Sequence, residues 1–269
     1  MPQKGPTPNH DIARFADDGY CLVDGALPET VVDECRRSLD RMIAGHTAAG
    51  GRPERLVEPH VRADDWQLWL ELCRNPGITE PVAEALGTDE LLLIMSHLIV
   101  KPPYDGMAVK WHQDNTYWKS VTGTDVLTVW LALDDVDEAN GCMKVIPSSH
   151  AGYEELEQHR TDGNDLLGVE ISVPARMEAD AIPCVLPAGS FSIHDSYIIH
   201  GSEPNTSARR RAGYTMRIAN ARTVTIDLAL HRRPVYYIKG DGPSLRDGYR
   251  DISRGKPLPA DPGVYTPSS

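Results

Sequence analysis

From residue 90 onward the chain is a succession of short β-type runs: ELLLIMSHLIVK, MAVKWHQ, VLTVWLALDDV, CMKVIP, SFSIHD, YIIHGS and GYTMRIANA. Gly, Pro, Asn and Asp turns separate them. Many short strands with few helices between them point to a sandwich or a closed jelly roll. The first third of the chain has a different texture. After a short alternating piece, Tyr20 to Val23, Pro28 opens a helical stretch with apolar residues at Val31, Val32, Cys35, Leu39, Met42 and Ile43, and Gly45 is expected to end it. DDWQLWLELCRNPG places Trp66, Trp69, Leu70 and Cys73 on one helical face, and a third short helix is expected from about Thr79 to Leu86.

The expected architecture is therefore mainly β with flanking helices. A double-stranded β-helix, a cupin-like jelly-roll barrel, is expected over residues 90–269, and a mainly helical buttress over 11–89. Together they form one domain, 1–269, with a loose Pro-rich tail at 1–10. The stretch 151–181 is long, charged and weakly periodic, which suits a mobile lid inside a compact domain.

Composition narrows the class of function. The 269 residues carry 27 Lys and Arg against 39 Asp and Glu, a formal net charge of −12. Such a chain has no electrostatic footprint for nucleic acid and is repelled by anionic membrane. It favours a neutral or cationic small molecule as partner; oligomeric state is left open. Cys21, Cys35, Cys73, Cys142 and Cys184 are scattered, odd in number and without CxxC spacing. That pattern argues against a disulfide framework or a structural zinc site. With no apolar leader-like run near Met1 and no stretch long enough to span a bilayer, a cytoplasmic location is expected.

The chemistry concentrates in Trp111-His112-Gln113-Asp114. Residues i and i+2 of a strand share a face, so His112 and Asp114 would project together into the barrel. An imidazole and a carboxylate supply two ligands of a facial triad. That geometry holds one face of a ferrous ion and leaves the opposite positions for substrates and dioxygen. For the third ligand the best candidate is His200, in SYIIHGS at a strand end, with the strand residues His97 and His194 as rivals. His10, His46, His60, His159 and His231 lie in polar or helical contexts that suit the surface, and His150 reads as a loop residue. Arg211 follows eleven residues after His200 as the chain enters a new strand. Its planar, permanently charged fork suits a dicarboxylate cosubstrate, while Arg209 and Arg210 read as a solvated turn.

HxD, a distal His in an HGS turn and the Arg beyond it resemble the phytanoyl-CoA dioxygenase family of Fe(II)/2-oxoglutarate oxygenases. FADDGYCLVDGALPETVVDECRRSL, LIVKPP, NGCMKVIPSSH and VYYIKGDGPSLRDGYRDISRGKPLP are also similar to family-typical runs, so the resemblance covers roughly residues 12–260. It implies His112, Asp114 and His200 as iron ligands and Arg211 as partner of the far carboxylate of 2-oxoglutarate. It further implies Trp130, Ser202 and His97 near that cosubstrate, and Tyr117 and Trp118 near the substrate. Lys101 and Pro102 read as structural. The implied activity uses Fe(II), 2-oxoglutarate and dioxygen to hydroxylate, or otherwise oxidise by hydrogen abstraction, a small polar metabolite of specialised or biosynthetic metabolism. Related halogenases leave the carboxylate position as Gly or Ala, so Asp114 argues against halogenation. The acidity of the chain argues against an acyl-CoA. The competing expectations are a non-catalytic jelly-roll binding protein and a cupin enzyme that does not use 2-oxoglutarate.

Overall fold

A computed structural model describes residues 10–161, 163 and 165–264. Most of the expected tail, residues 162 and 164 of the expected lid, and the last five residues lie outside the described residues. The chain opens with α1 (Phe15–Asp18), β1 (Tyr20–Val23) and α2 (Glu29–Ala48). Then come β2 (Arg55–Val57), α3 (Pro59–Arg62), α4 (Trp66–Cys73) and α5 (Pro76–Leu86). Next are β3 (Leu91–Lys101), β4 (Val109–His112), β5 (Val121–Thr122), β6 (Val126–Ala132) and β7 (Met143–Val145). The middle holds β8 (Gln158–Arg160), β9 (Val169–Ile171), α6 (Ala175–Glu178) and β10 (Ile182–Pro183). The chain closes with β11 (Phe191–Asp195), β12 (His200–Ser202), β13 (Arg211–Asn220), β14 (Thr225–Ile226), α7 (Leu228–His231), β15 (Val235–Lys239) and β16 (Tyr249–Asp251).

Two sheets carry the fold. The larger runs β1-β11-β6-β13-β3-β15-β16, with β2 also on β3, and the smaller runs β10-β7-β12-β4. The non-consecutive order in both is that of a double-stranded β-helix, as expected. Alternation divides the large sheet cleanly. Leu98, Val100, Val129, Leu131, Tyr214 and Met216 pack in one apolar cluster with Trp69, Leu70, Cys73, Ile78 and Val82 of α4 and α5. Their strand neighbours His97, Ile99, Thr128, Trp130, Thr215 and Arg217 line a cavity on the other face. β3 is buried on both faces, which is why it reads as an almost unbroken apolar run.

Some boundaries differ from expectation. α2 does not stop at Gly45 but continues to Ala48, since a glycine inside a helix costs only about 1 kcal/mol relative to alanine. α5 starts earlier than Thr79, at Pro76, where Asn75 caps it by accepting from the Gly77 amide. The strands β14 to β16 follow the last expected run. All five cysteines are buried and free. No helix among the described residues is long and apolar enough to cross a membrane.

Candidate metal centre

The smaller sheet brings two histidines side by side. His112 ends β4, His200 begins β12, and the antiparallel register pairs them directly. Their rings lie 4.1 Å apart. Asp114 arrives by another route than expected. β4 ends at His112, and Asp114 sits past it in helical conformation (φ −69°, ψ −38°), leading into a short 3-10 turn. The convergence survives: one ligand atom from each of His112, Asp114 and His200 falls within 4.8 Å of the others, and all three residues are buried. His112 Nε2 is 3.8 Å and His200 Nε2 4.0 Å from Asp114 Oδ1.

The donor set fits a divalent ion. His112 Nδ1 lies 2.9 Å from the Lys110 carbonyl, and His200 Nδ1 lies 3.1 Å from the Ile198 carbonyl. Each carbonyl accepts the Nδ1 proton, fixing the tautomer that leaves Nε2 as a lone-pair donor. Burial, and then the neighbouring His200, pulls the His112 pKa down to about 3. Burial, and then His194, pulls His200 down to about 4. Both rings are neutral, and so ready to ligate, throughout the physiological range. Burial pushes the Asp114 carboxyl up, but Arg217, His194 and His200 outweigh it and hold it well below the usual range. The Thr128 hydroxyl donates to Asp114 Oδ2 at 2.6 Å, leaving Oδ1 directed at the imidazoles.

The cavity over this cluster has a volume of about 250 Å³ and is lined by all nine residues singled out from the sequence. Arg211 opens β13 inside it and is almost wholly buried. Its Nε and Nη2 fork onto the Gly141 carbonyl at 3.0 and 2.7 Å, and its guanidinium lies 4.9 Å from the Trp130 ring centroid. Nη1 is buried with no hydrogen-bond partner. A buried donor of that kind fits a carboxylate. Burial pulls Arg211 down to about 10, still charged at neutral pH. Ser202 is oriented by Lys101, whose Nζ donates to its hydroxyl at 2.8 Å and also to the Glu203 carbonyl. Trp118 is buried, whereas Tyr117 is 45% exposed at the cavity edge.

His97, one rival third ligand, faces Arg217, its Nδ1 3.2 Å from Nη1. His194, the other, stands on β11 with Nε2 3.6 Å from Asp114 Oδ2, beside the cluster rather than in it. Three histidines expected at the surface or in a loop are buried instead. His60 contacts Ser96 Oγ at 2.6 Å, His231 contacts Ser120 Oγ at 2.9 Å and the Ile94 carbonyl at 2.8 Å, and His150 lies 3.1 Å from the Ala16 carbonyl. Such partners make burial of an imidazole tolerable. Arg210 is not a solvated turn residue: it clamps Asp134 at 2.8 and 3.0 Å and reaches Asp40.

Thr128, Arg217 and Arg233 escaped the sequence reading, although each lines the cavity. A signal existed for two of them: Thr128 shares a strand face with Trp130, and Arg217, six residues past Arg211, shares one with it. Arg233 follows α7 in a loop and carries no such periodicity.

A jelly roll with two imidazoles and a carboxylate at the floor of its cavity, and a buried arginine opening one long strand, has the architecture of the iron- and 2-oxoglutarate-dependent oxygenases. Within that class the chain belongs to the phytanoyl-CoA dioxygenase family, whose model matches residues 15–213. Phytanoyl-CoA dioxygenase domain-containing protein 1 of Bos taurus is 31% identical over 144 residues, 53% of this chain and 50% of that protein. The chain thus spans about half the length of such curated relatives. The L-proline trans-4-hydroxylase of Streptomyces griseoviridis is 30% identical over 226 residues, 74% of this chain and 81% of that protein. Among solved structures, the apo non-heme monooxygenase ThoJ superposes with a TM-score of 0.72 at 26% identity, covering 90% of this chain and 89% of that one.

Proposed function

We propose that the protein is an Fe(II)- and 2-oxoglutarate-dependent oxygenase that hydroxylates a small polar metabolite in biosynthetic or specialised metabolism. The observation that carries the proposal is the pairing of two locked, neutral imidazoles and one carboxylate with a buried Arg211 in the same cavity. Family membership and the resemblance to a proline hydroxylase support it. His112, Asp114 and His200 would hold the iron. Bound there with 2-oxoglutarate, the iron supplies oxidative decarboxylation to succinate and carbon dioxide and, from dioxygen, the oxidising power to remove a hydrogen atom from a C–H bond.

The chain's own residues bind, orient and exclude. Arg211 Nη1 receives the far carboxylate of the cosubstrate, with Ser202 beside it and Trp130 stacked on the guanidinium. His97 sits at the same strand level as Thr215 and completes that wall. Trp118 and Tyr117 contact the substrate and keep water away. Asp114 occupies the place a halide would need, which favours transfer of oxygen over halogenation. Arg211 beside two imidazoles whose outer nitrogens are already locked favours an oxygenase over a binding protein without turnover.

The test is succinate release from 2-oxoglutarate with ferrous iron. His112→Ala and His200→Ala should each lose it while keeping the wild-type circular dichroism spectrum. Two single variants that stay fully active would remove the assignment of the metal ligands, and with it the proposal.

A further inference from the structure

We propose that the substrate carries a carboxylate, or an equivalent monoanion, and that Arg233 receives it at the cavity mouth. The inference rests on the oxygenase proposal and specifies its substrate class. Its first support is the charge of the cavity wall. Three guanidiniums, Arg211, Arg217 and Arg233, stand against two carboxylates, Asp114 in the wall and Glu58 behind Arg233. A divalent ion and the two carboxylates of 2-oxoglutarate cancel one another, so their arrival leaves this imbalance in place. The pocket is cationic although the whole chain has a net charge of −12.

The second support is a gradient of exposure. Arg211 is almost wholly buried, the Arg217 side chain is 13% exposed and the Arg233 side chain is 25% exposed. Arg211 sits beside Trp130 and Gly141, and Arg217 lies 3.4 Å from Asp114. Arg233 is the guanidinium of the three that an entering molecule meets.

The third support is the way Arg233 is held. Its Nε lies 2.9 Å from Glu58 Oε1, and its Nη1 donates to the His231 carbonyl at 3.4 Å. Glu58 is itself fixed: its backbone is left-handed (φ 52°), its amide donates to the Ser96 carbonyl at 2.9 Å, and its Oε2 accepts from the Ser96 amide at 3.3 Å. These contacts fix the orientation of a planar, five-donor fork at the cavity edge. Burial pushes the Glu58 carboxyl up to about 7, against the pull of Arg233 and Arg217, so it offsets these cations only partly near neutrality. Met95 and Trp118 give the same cavity an apolar wall. A molecule with one anionic end and an apolar body matches both surfaces.

The experiment uses the full-length protein with zinc(II) in place of iron and saturating 2-oxoglutarate, so that nothing turns over. Ligand-detected NMR then compares octanoate with octanamide and octylamine, 3-phenylpropanoate with its amide and amine, and L-proline with L-prolinamide. At least one acid should bind tenfold or more tightly than its uncharged and cationic counterparts. Arg233→Gln should erase that preference, and Arg233→Lys should restore part of it. Absence of any acid binding, equal binding of acid and amide in every set, or a preference unchanged in Arg233→Gln overturns the proposal. An acid that enters through Arg211 instead would show the last of these. If Arg233→Gln does not fold, Arg233→Lys decides: an acid preference undiminished from wild type overturns the proposal. Calorimetry of 2-oxoglutarate binding to the wild-type zinc form reports separately on the oxygenase proposal. If the cosubstrate does not bind, that proposal fails by itself, and the acid preference is read without it.

Discussion

At the scale of single residues, two neighbouring arginines show how little sequence adjacency says about role. Arg211 turns inward to the Gly141 carbonyl and Trp130, while Arg210 turns outward to Asp134 and Asp40. Arg210 precedes β13 and Arg211 opens it, and their side chains take separate partners, so the two do not share a task. Losing a charge-assisted pair in a buried site typically costs about 2–5 kcal/mol, so Arg211→Ala should raise the apparent KM for 2-oxoglutarate roughly 30-fold or more. Arg210→Ala should leave that KM unchanged and cost up to about 1 kcal/mol of stability, since its carboxylate partners are partly solvated. Steady-state kinetics and urea melts check both, and a larger KM effect from Arg210 would move the anchor. What made the candidate metal cluster legible was a combination, His-x-Asp with a strand-end His and Arg211 eleven residues on, rather than His-x-Asp alone. The geometric reason was less secure. Alternation along a strand was expected to align His112 with Asp114, whereas a turn after β4 brings the carboxylate back. The cross-strand pairing of His112 with His200 is a matter of register between distant segments, which no local pattern encodes.

At the scale of elements, the segment 151–181 is more ordered than its composition implied. β8 and β9 pair antiparallel over three residue pairs, Gln158 with Ile171 through Arg160 with Val169. The segment is tied down at its start by Gln113, whose amide nitrogen donates to the Glu154 carbonyl at 3.0 Å and whose Oε1 accepts from the Leu156 amide at 2.9 Å. Near its other end Ile171, Val173 and Met177 pack with Ile146 and Ile199. Between these anchors, Leu166 donates its amide to the Ala108 carbonyl, and Leu166 and Leu167 reach the cavity. Apart from the β8–β9 ladder, these contacts are hidden from the sequence because their partners lie outside the segment. They also narrow the expected lid. Movement at the anchors would cost apolar burial, while β8 between them has mostly exposed side chains and its ladder to β9 is only three pairs long. Limited proteolysis of the ligand-free protein should therefore cut first between 158 and 171, and iron-free zinc(II) with 2-oxoglutarate should slow the cut. A first cut elsewhere, or a rate that ignores ligand, would make the hairpin an ordinary surface feature.

At the scale of the whole molecule, the helical buttress and the β-helix share one core. The apolar cluster on the outer face of the large sheet includes Val32, Cys35 and Leu39 of α2, Trp69 and Cys73 of α4, and Leu98, Leu131 and Tyr214 of the strands. Trp69 is the pivot. Its indole donates to Ser38 Oγ at 3.0 Å, and its ring meets Tyr214 edge-on at 4.9 Å, with the Tyr214 hydroxyl 3.2 Å from Cys73 Sγ. Tyr214 lies on β13 between Arg211 and Arg217, so the packing that holds the helices also seats the strand that delivers both cavity arginines. That coupling explains why the helical first third and the β-rich remainder, so different in sequence texture, should behave as one unit. Truncating a buried aromatic typically costs about 3–5 kcal/mol, so Trp69→Ala should lower the melting temperature by roughly 10 °C, given a few degrees per kcal/mol for a chain of this size. The loss should appear as one shifted transition, by near-ultraviolet and far-ultraviolet circular dichroism alike. It should also weaken 2-oxoglutarate binding, measured by calorimetry on the zinc form well below the transition, because β13 loses its backing. Two separate transitions, with the β-sheet signal melting at the wild-type temperature, would mean that the helices fold apart from the sheet they cover.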